Sequence, residues 1–323
     1  MNPLSINRSF IEGFDSVQIN TGITELSIIP ELGGKVNSLR DSRTGREWLW
    51  RHPRFPYKVV PHGSSYTAAS DTGGWDECFP SVAECEYPSD PWKGAAIQDH
   101  GEIWSHAAEF EMAEQADSVT LLTRSQGIAL PYTFTRTITL TANSSIIRVN
   151  YEVQNKSDQP MDYVWSLHPL LAIEPGMELL LPSSARFHVN GTIPENLVST
   201  KKDLQYPFAA SGLNFPALPE TSAGRAIKIW SDPLPAGEGW TSVRAHNGEL
   251  KMRWNVALLP QVAVWMNFGA WAADGGTPYY NLGLEPCIGG QDSLNDAVNL
   301  YKLFATLQPH GSKTWWLEIE LTA

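Results

Sequence analysis

The sequence predicts an all-β protein, a large antiparallel sandwich with few short helices. Three observations carry this. Apolar and polar residues alternate at period two along most of the chain, turn-forming residues separate those runs, and only one segment shows helical spacing. The 323 residues include 25 Gly, 23 Pro and 13 Trp, turn formers and large aromatics that suit a β-rich scaffold with carbohydrate-facing surfaces. An apolar share of 42% supports a substantial core. Large all-β folds reach this length as one unit, so residues 1–323 are read as a single domain.

Strand runs are expected at Thr24–Ile29 and Val119–Thr123. Next, Tyr132, Phe134, Ile138 and Leu140 alternate with threonines, and Ile147, Val149, Tyr151 and Val153 alternate with Arg148, Asn150 and Glu152. The turn signal Ala142-Asn143-Ser144 between them predicts a hairpin. A second turn at Asn155–Pro160 leads into Tyr163–Leu167, which predicts a three-stranded meander ending at His168-Pro169. Further runs lie at Ala226–Trp230, Leu250–Val256, Val262–Phe268 and Trp315–Leu321. One short helix is expected where Leu294, Ala297, Val298 and Tyr301 follow the capping residues Asp292 and Ser293. The Pro-rich stretch Phe208–Glu220 reads as a long surface loop.

A formal net charge of -12 repels phosphate backbones and anionic lipid, so neither nucleic acid nor a membrane surface is expected as a partner. No apolar run is long enough to span a bilayer, and the start of the chain lacks a basic segment followed by an apolar one. Cys78, Cys85 and Cys287 have no CxxC spacing, which argues against a disulfide framework or a structural zinc site. A reducing, cytoplasmic compartment is the expectation. His100 and His106 do not form a metal-ligand set, and P-loop, Rossmann and Gly-x-Ser-x-Gly signatures are missing, so no cofactor and no metal are expected.

Three short islands carry residues suited to proton transfer: Asp99-His100-Gly101, Leu167-His168-Pro169 and Gly283-Leu284-Glu285-Pro286. His100 lies in a segment rich in Pro, Gly and acids. Alone it reads as an exposed loop histidine, with Gly101 letting the backbone approach a ligand. His168 reads either as a semi-core histidine or as an acid presented by a rigid strand end. Glu285 sits in apolar surroundings, where a carboxylate is paired, hydrogen-bonded or raised in pKa; a structural ion pair with an arginine is the alternative. In Gly73–Pro80, Trp75, Asp76 and Glu77 suit stacking on a sugar and accepting from its hydroxyls, or else form a tight turn with a packing tryptophan. Trp104, Trp165, Trp265 and Trp271 are candidates for the same cleft.

At these residues the chain resembles the galactose mutarotase (aldose 1-epimerase) superfamily. The resemblance rests on Glu31-Leu32-Gly33-Gly34-Lys35 through Gly45-Arg46-Glu47-Trp48, followed in the family's order by His100-Gly101, His168-Pro169 and Leu284-Glu285. It implies a β-supersandwich and an unassisted sugar mutarotase. His168 matches the general acid on the ring oxygen, Glu285 the base on the anomeric hydroxyl, and His100 the histidine that positions the sugar. Trp75, Asp76, Glu77 and Trp104 are then expected to bind substrate. A glutamate raised toward neutrality and a partly protonated histidine would serve both directions.

The chain also departs from that pattern. The arginine segment that simple galactose mutarotases carry before His-Gly is replaced by Gly73–Pro80. His100-Gly101-Glu102-Ile103-Trp104 stands where hexose-6-phosphate mutarotases show His-Gly-Phe-Ala-Arg. An unphosphorylated or modified sugar is therefore expected. A sugar-binding protein that has lost turnover is the first rival. A glycoside hydrolase or lyase pairing Glu285 with Glu77 or Asp76 is the second.

Overall fold

The computed structural model describes residues 4–198, 203–208 and 217–323. Its larger sheet has eleven strands. In spatial order they are Ser5–Ile11, Phe14–Asn20, Thr24–Ile29, Lys35–Asp41, Trp75–Cys78, Trp165–Ala172, Tyr280–Ile288, Gln261–Phe268, Arg225–Ser231, Arg186–Ile193 and Leu204–Gln205. The second sheet has eight: Glu178–Leu180, Trp240–Ala245, Gly248–Trp254, Ser312–Thr322, Ile146–Asn155, Tyr132–Thr141, Ser118–Gln126 and Glu109–Glu114. Every pairing between them is antiparallel, as alternating patterns require when one face is buried and the other is not.

The two sheets pack face to face over one apolar core. Phe134, Val149, Leu317 and Ile319 come from one side, and Leu167, Leu171, Leu282 and Leu284 from the other. The predicted hairpin forms, with Tyr132 opposite Asn155 and Leu140 opposite Ile147. The predicted runs Thr24–Ile29, Val262–Phe268 and Trp315–Leu321 also lie within strands.

The expected meander does not form. After the hairpin, Met161–Tyr163 pairs with Ala305–Leu307 in a separate two-stranded sheet. The chain then crosses to the larger sheet, where Trp165–Ala172 runs on through His168 and Pro169. Nearly every residue of that strand is buried, because it is central in its sheet and covered on both faces. Such a strand shows no alternation to mark its length. Pro169 does not end it either, so His168 stands in mid-strand.

Ser293 caps the expected helix, accepting from the Asp296 amide at 3.3 Å. After Leu294–Asp296 it widens into a π turn at Ala297–Tyr301. Of the predicted loop Phe208–Glu220, residues 209–216 lie outside the described residues; Phe208 and Leu218 are buried. No helix among the described residues is long and apolar enough to cross a membrane.

Candidate active site

The outer face of the larger sheet is where the islands meet. Strands Trp165–Ala172 and Tyr280–Ile288 pair Ser166 with Cys287 and Leu170 with Gly283. The two pairs share one register, which sets His168 directly opposite Glu285. The ladder is interrupted between them, where Pro169 and Pro286 bring no N–H. On the far side of His168 stands Asp76, its partner in Trp75–Cys78. Side chains alternate between faces, so Asp76, Ser166, His168, Gly283 and Glu285 share the outer face, whereas Trp75, Glu77, Trp165 and Leu167 point into the core.

His100 reaches this face from a loop. Its backbone is left-handed, φ 60°, an uncommon conformation for a non-glycine residue. The loop is locked by His100 N–H donating to Val82 O at 2.6 Å and Glu102 N–H to Phe79 O at 2.8 Å. Gly101 allows this packing: any Cβ there would collide with the Phe79 backbone. The glycine therefore serves a chain-to-chain contact, not the approach of a ligand. Asp99 Oδ1 holds His100 Nδ1 at 2.7 Å; this contact keeps Asp99 below the usual carboxylate range although burial pushes it up. Asp99 Oδ2 in turn accepts from Tyr66 N–H at 2.9 Å. Tyr66 stacks on the His100 ring at 4.2 Å, and the two imidazoles meet edge to face at 4.9 Å.

These groups line a cleft of about 230 Å³ whose walls include Tyr66, His100, His168, Lys228, Trp265, Trp271, Asn281, Glu285 and Asp292. Glu285 is fully buried. Its Oε2 contacts the Lys228 ammonium and accepts from Ser166 Oγ at 3.3 Å; its Oε1 has no partner. His168 Nδ1 is likewise buried and unpartnered. Burial drives His168 well below the ordinary imidazole value, helped by His100, Lys228 and Lys35. The imidazole is neutral at neutral pH, which corrects the expectation of partial protonation. Lys228 goes the other way: burial lowers it, but Glu285 and Asp292 raise it above the ordinary value.

The three catalytic candidates of the sequence, His100, His168 and Glu285, thus share one cleft. The proposed binders do not join them. Trp75 and Glu77 lie in the core, since the period-two rule that brings Asp76 outward turns them inward. Glu77 Oε1 accepts from Trp75 Nε1, Tyr151 OH and Arg136 Nη1 at 3.0, 3.0 and 3.1 Å. Trp165 Nε1 donates to its Oε2 at 3.0 Å. Asp76 faces outward but is bound by Lys35 Nζ at 2.5 Å and Tyr66 OH at 2.8 Å. Trp104 sits behind Tyr66, edge to face at 5.1 Å, with Nε1 donating to Asp99 O. Of the three remaining tryptophan candidates, Trp165 lies in the core and Trp265 and Trp271 reach the cleft.

The sequence reading missed Lys228, Tyr66, Asn281 and Asp292 as cleft residues. Lys228 carried a signal: a lysine flanked by Ile227 and Ile229 mirrors Glu285 between Leu284 and Pro286. The alternative of an ion pair at Glu285 is realised with a lysine; the arginine pair belongs to Glu77.

No protein-family model matches this chain, and no curated protein does. Solved structures match at low identity. A galactose mutarotase-like protein from Clostridium acetobutylicum aligns over 100% of this chain and 99% of its own, at 14% identity and a TM-score of 0.71. A protein from Synechocystis, Slr1438, aligns over 100% and 98% at 16% identity and 0.67. A galactose mutarotase related enzyme from Lactobacillus acidophilus aligns over 95% and 97% at 16% and 0.65. The chain has the galactose mutarotase-like β-sandwich fold.

Proposed function

We propose that the cleft interconverts the α and β anomers of an unphosphorylated sugar by acid–base ring opening, as an aldose 1-epimerase does. The observation that carries this is the facing pair His168 and Glu285, each buried on one sheet face with an unpartnered polar atom, Nδ1 and Oε1. Glu285 Oε1 takes the proton of the anomeric hydroxyl. The bond from C1 to the ring oxygen breaks, and that oxygen takes a proton from the His168 imidazolium. The free aldehyde turns about its bond to C2. Imidazole then removes the hydroxyl proton as the ring closes on the other face, while the Glu285 carboxylic acid returns its own to the carbonyl oxygen. His100, fixed by Asp99 and Tyr66, positions and polarises the sugar, and no cofactor takes part.

Charge supports an unphosphorylated substrate. Among the described cleft residues Lys228 is already engaged by Glu285 and lies 3.8 Å from Asp292. Arg54, which packs on the Tyr279 ring, is tied to Asp274 at 2.6 Å. Among the described cleft residues a phosphate would meet no unpaired cation. Trp265 and Trp271 offer apolar faces for stacking on sugar C–H groups. The hydrolase alternative loses support, because Glu77 lies on the opposite face of the sheet from Glu285, and Asp76, on the same face, is held by Lys35 Nζ and Tyr66 OH.

Adding the protein to freshly dissolved pure anomers and following optical rotation or exchange NMR tests the proposal. Accelerated exchange of at least one sugar, lost in Glu285→Gln, is expected. A second reading, sugar binding without turnover, draws on the neutral His168 and the engaged Glu285. Binding by calorimetry with no acceleration across a broad panel would establish it and defeat the first.

A further inference from the structure

The pair formed by Lys228 and Glu285 has a geometry that stability alone does not explain. Lys228 lies on Arg225–Ser231, two strands away from Glu285. Its stem crosses Gln261–Phe268, and its ammonium is almost fully buried. Burying two charges costs roughly as much as their attraction returns, and apolar residues of similar size would often hold such a place as well. What the pair does accomplish is asymmetry. Lys228 and Ser166 both engage Oε2, leaving Oε1 alone. That free oxygen lies over Gly283, where any Cβ would come within 2.7 Å of it.

We propose that Lys228 is a positioning residue for the ring-opening reaction, fixing the Glu285 carboxylate through Oε2 so that Oε1, in the space left by Gly283, alone meets the anomeric hydroxyl. The inference rests on the role given to Glu285 above. Asp292 Oδ1 lies 3.8 Å from the same ammonium. The titratable groups facing Glu285 are Cys78, Lys228 and Cys287, its cross-strand neighbour His168 and, through Lys228, Asp292. Burial pushes both thiols up and His168 down, so all three are neutral near pH 7. Lys228 is then the cation that acts on the carboxylate. A buried carboxylate deprived of its counter-charge takes up a proton more readily.

Lys228→Met is the test. It should lower kcat by about 10- to 100-fold with little change in KM, as expected for a misplaced reacting group. The acid limb of kcat/KM should move up by about 1–3 pH units. Lys228→Arg should restore the limb and part of kcat. Gly283→Ala should lower kcat with the limb unmoved, because it displaces the oxygen without removing the charge. Lys228→Gln serves where the methionine variant does not fold. A folded charge-removing variant with the wild-type limb and kcat overturns the proposal, and lowered thermal stability alone would mark a merely structural lysine. If the wild type accelerates no sugar, the ring-opening reading fails by itself. The carboxyl carbon of labelled Glu285, assigned with Glu285→Gln, then still decides on Lys228. Its NMR signal should titrate at higher pH in the methionine variant, and an unchanged titration overturns the inference.

Discussion

Glu77 and Glu285 are both fully buried glutamates in central strands of one sheet, each paired with a buried cation, yet they do opposite things. Glu77 points into the core, where Trp75, Tyr151, Arg136 and Trp165 fill both of its oxygens. Burial pushes it up to about 7 against the pull of Arg136 and those donors. Glu285 lines the cleft, and one of its oxygens, buried like the rest of the side chain, has no partner. The difference lies in which side of the strand each occupies. A carboxylate with every acceptor filled holds two sheets together; one held by a single oxygen can still accept a proton.

The largest effects should separate the two. Glu285→Gln removes the proposed base and should lower anomer exchange by about 10²–10⁴-fold, the usual range for a lost general base. Its stability cost should be the smaller of the two, since Asp292 remains near Lys228 as a counter-charge. Glu77→Gln strands Arg136 in the core and should cost about 3–5 kcal/mol of unfolding free energy, as breaking a buried pair does. Its folded fraction should exchange anomers at close to the wild-type rate. Denaturant unfolding alongside polarimetry on both variants checks this. A Glu77 variant that is stable but inactive would reverse the assignment.

The strand pattern was legible because exposed and buried faces alternate. Tyr132–Leu140 and Ile147–Val153 announce the hairpin by that alternation alone. The same periodicity could have sorted Trp75, Asp76 and Glu77 onto two faces, but Gly73 and Gly74 made the segment look like a turn. Trp165–Ala172 was cut short because a strand covered on both faces carries no alternation. His100, His168 and Glu285 were found by residue type and order. Tyr66 and Asn281 were not, because their roles come from register and loop packing that no local pattern encodes.

The cleft should also behave differently from the core as pH changes. His168 is held well below the ordinary 6.5, chiefly by burial. Between its folded value and 6.5 the unfolded chain binds a proton there and the native protein does not. The stability that His168 contributes is therefore fully present above about pH 6.5 and is lost as pH falls through that window. Activity should run the other way, because in the proposed reaction ring-oxygen protonation needs the imidazolium. The basic limb of kcat/KM should lie below about pH 6.5, with exchange slowing as pH rises through it. Melting temperature and kcat/KM measured across the same buffers would show the opposed slopes. A basic limb above neutrality would assign the acid to another group.

The smallest effect should come from the layer behind the cleft. Trp104 touches neither His168 nor the cleft; it supports Tyr66 edge to face and donates to the Asp99 carbonyl at 3.0 Å. Trp104→Phe keeps the ring and loses that hydrogen bond, which is worth about 0.5–1.5 kcal/mol. Asp99 still holds His100 through its carboxylate, and Tyr66 still stacks on the imidazole. KM should therefore stay within about twofold of wild type, because the lost hydrogen bond lies behind the residues that line the cleft. The same measurement on Trp265→Ala, which strips a wall of the cleft, should raise KM well beyond that. If Trp104→Phe raises KM as much as Trp265→Ala does, the sugar reaches past Tyr66, and the cleft extends behind the ring that now closes it.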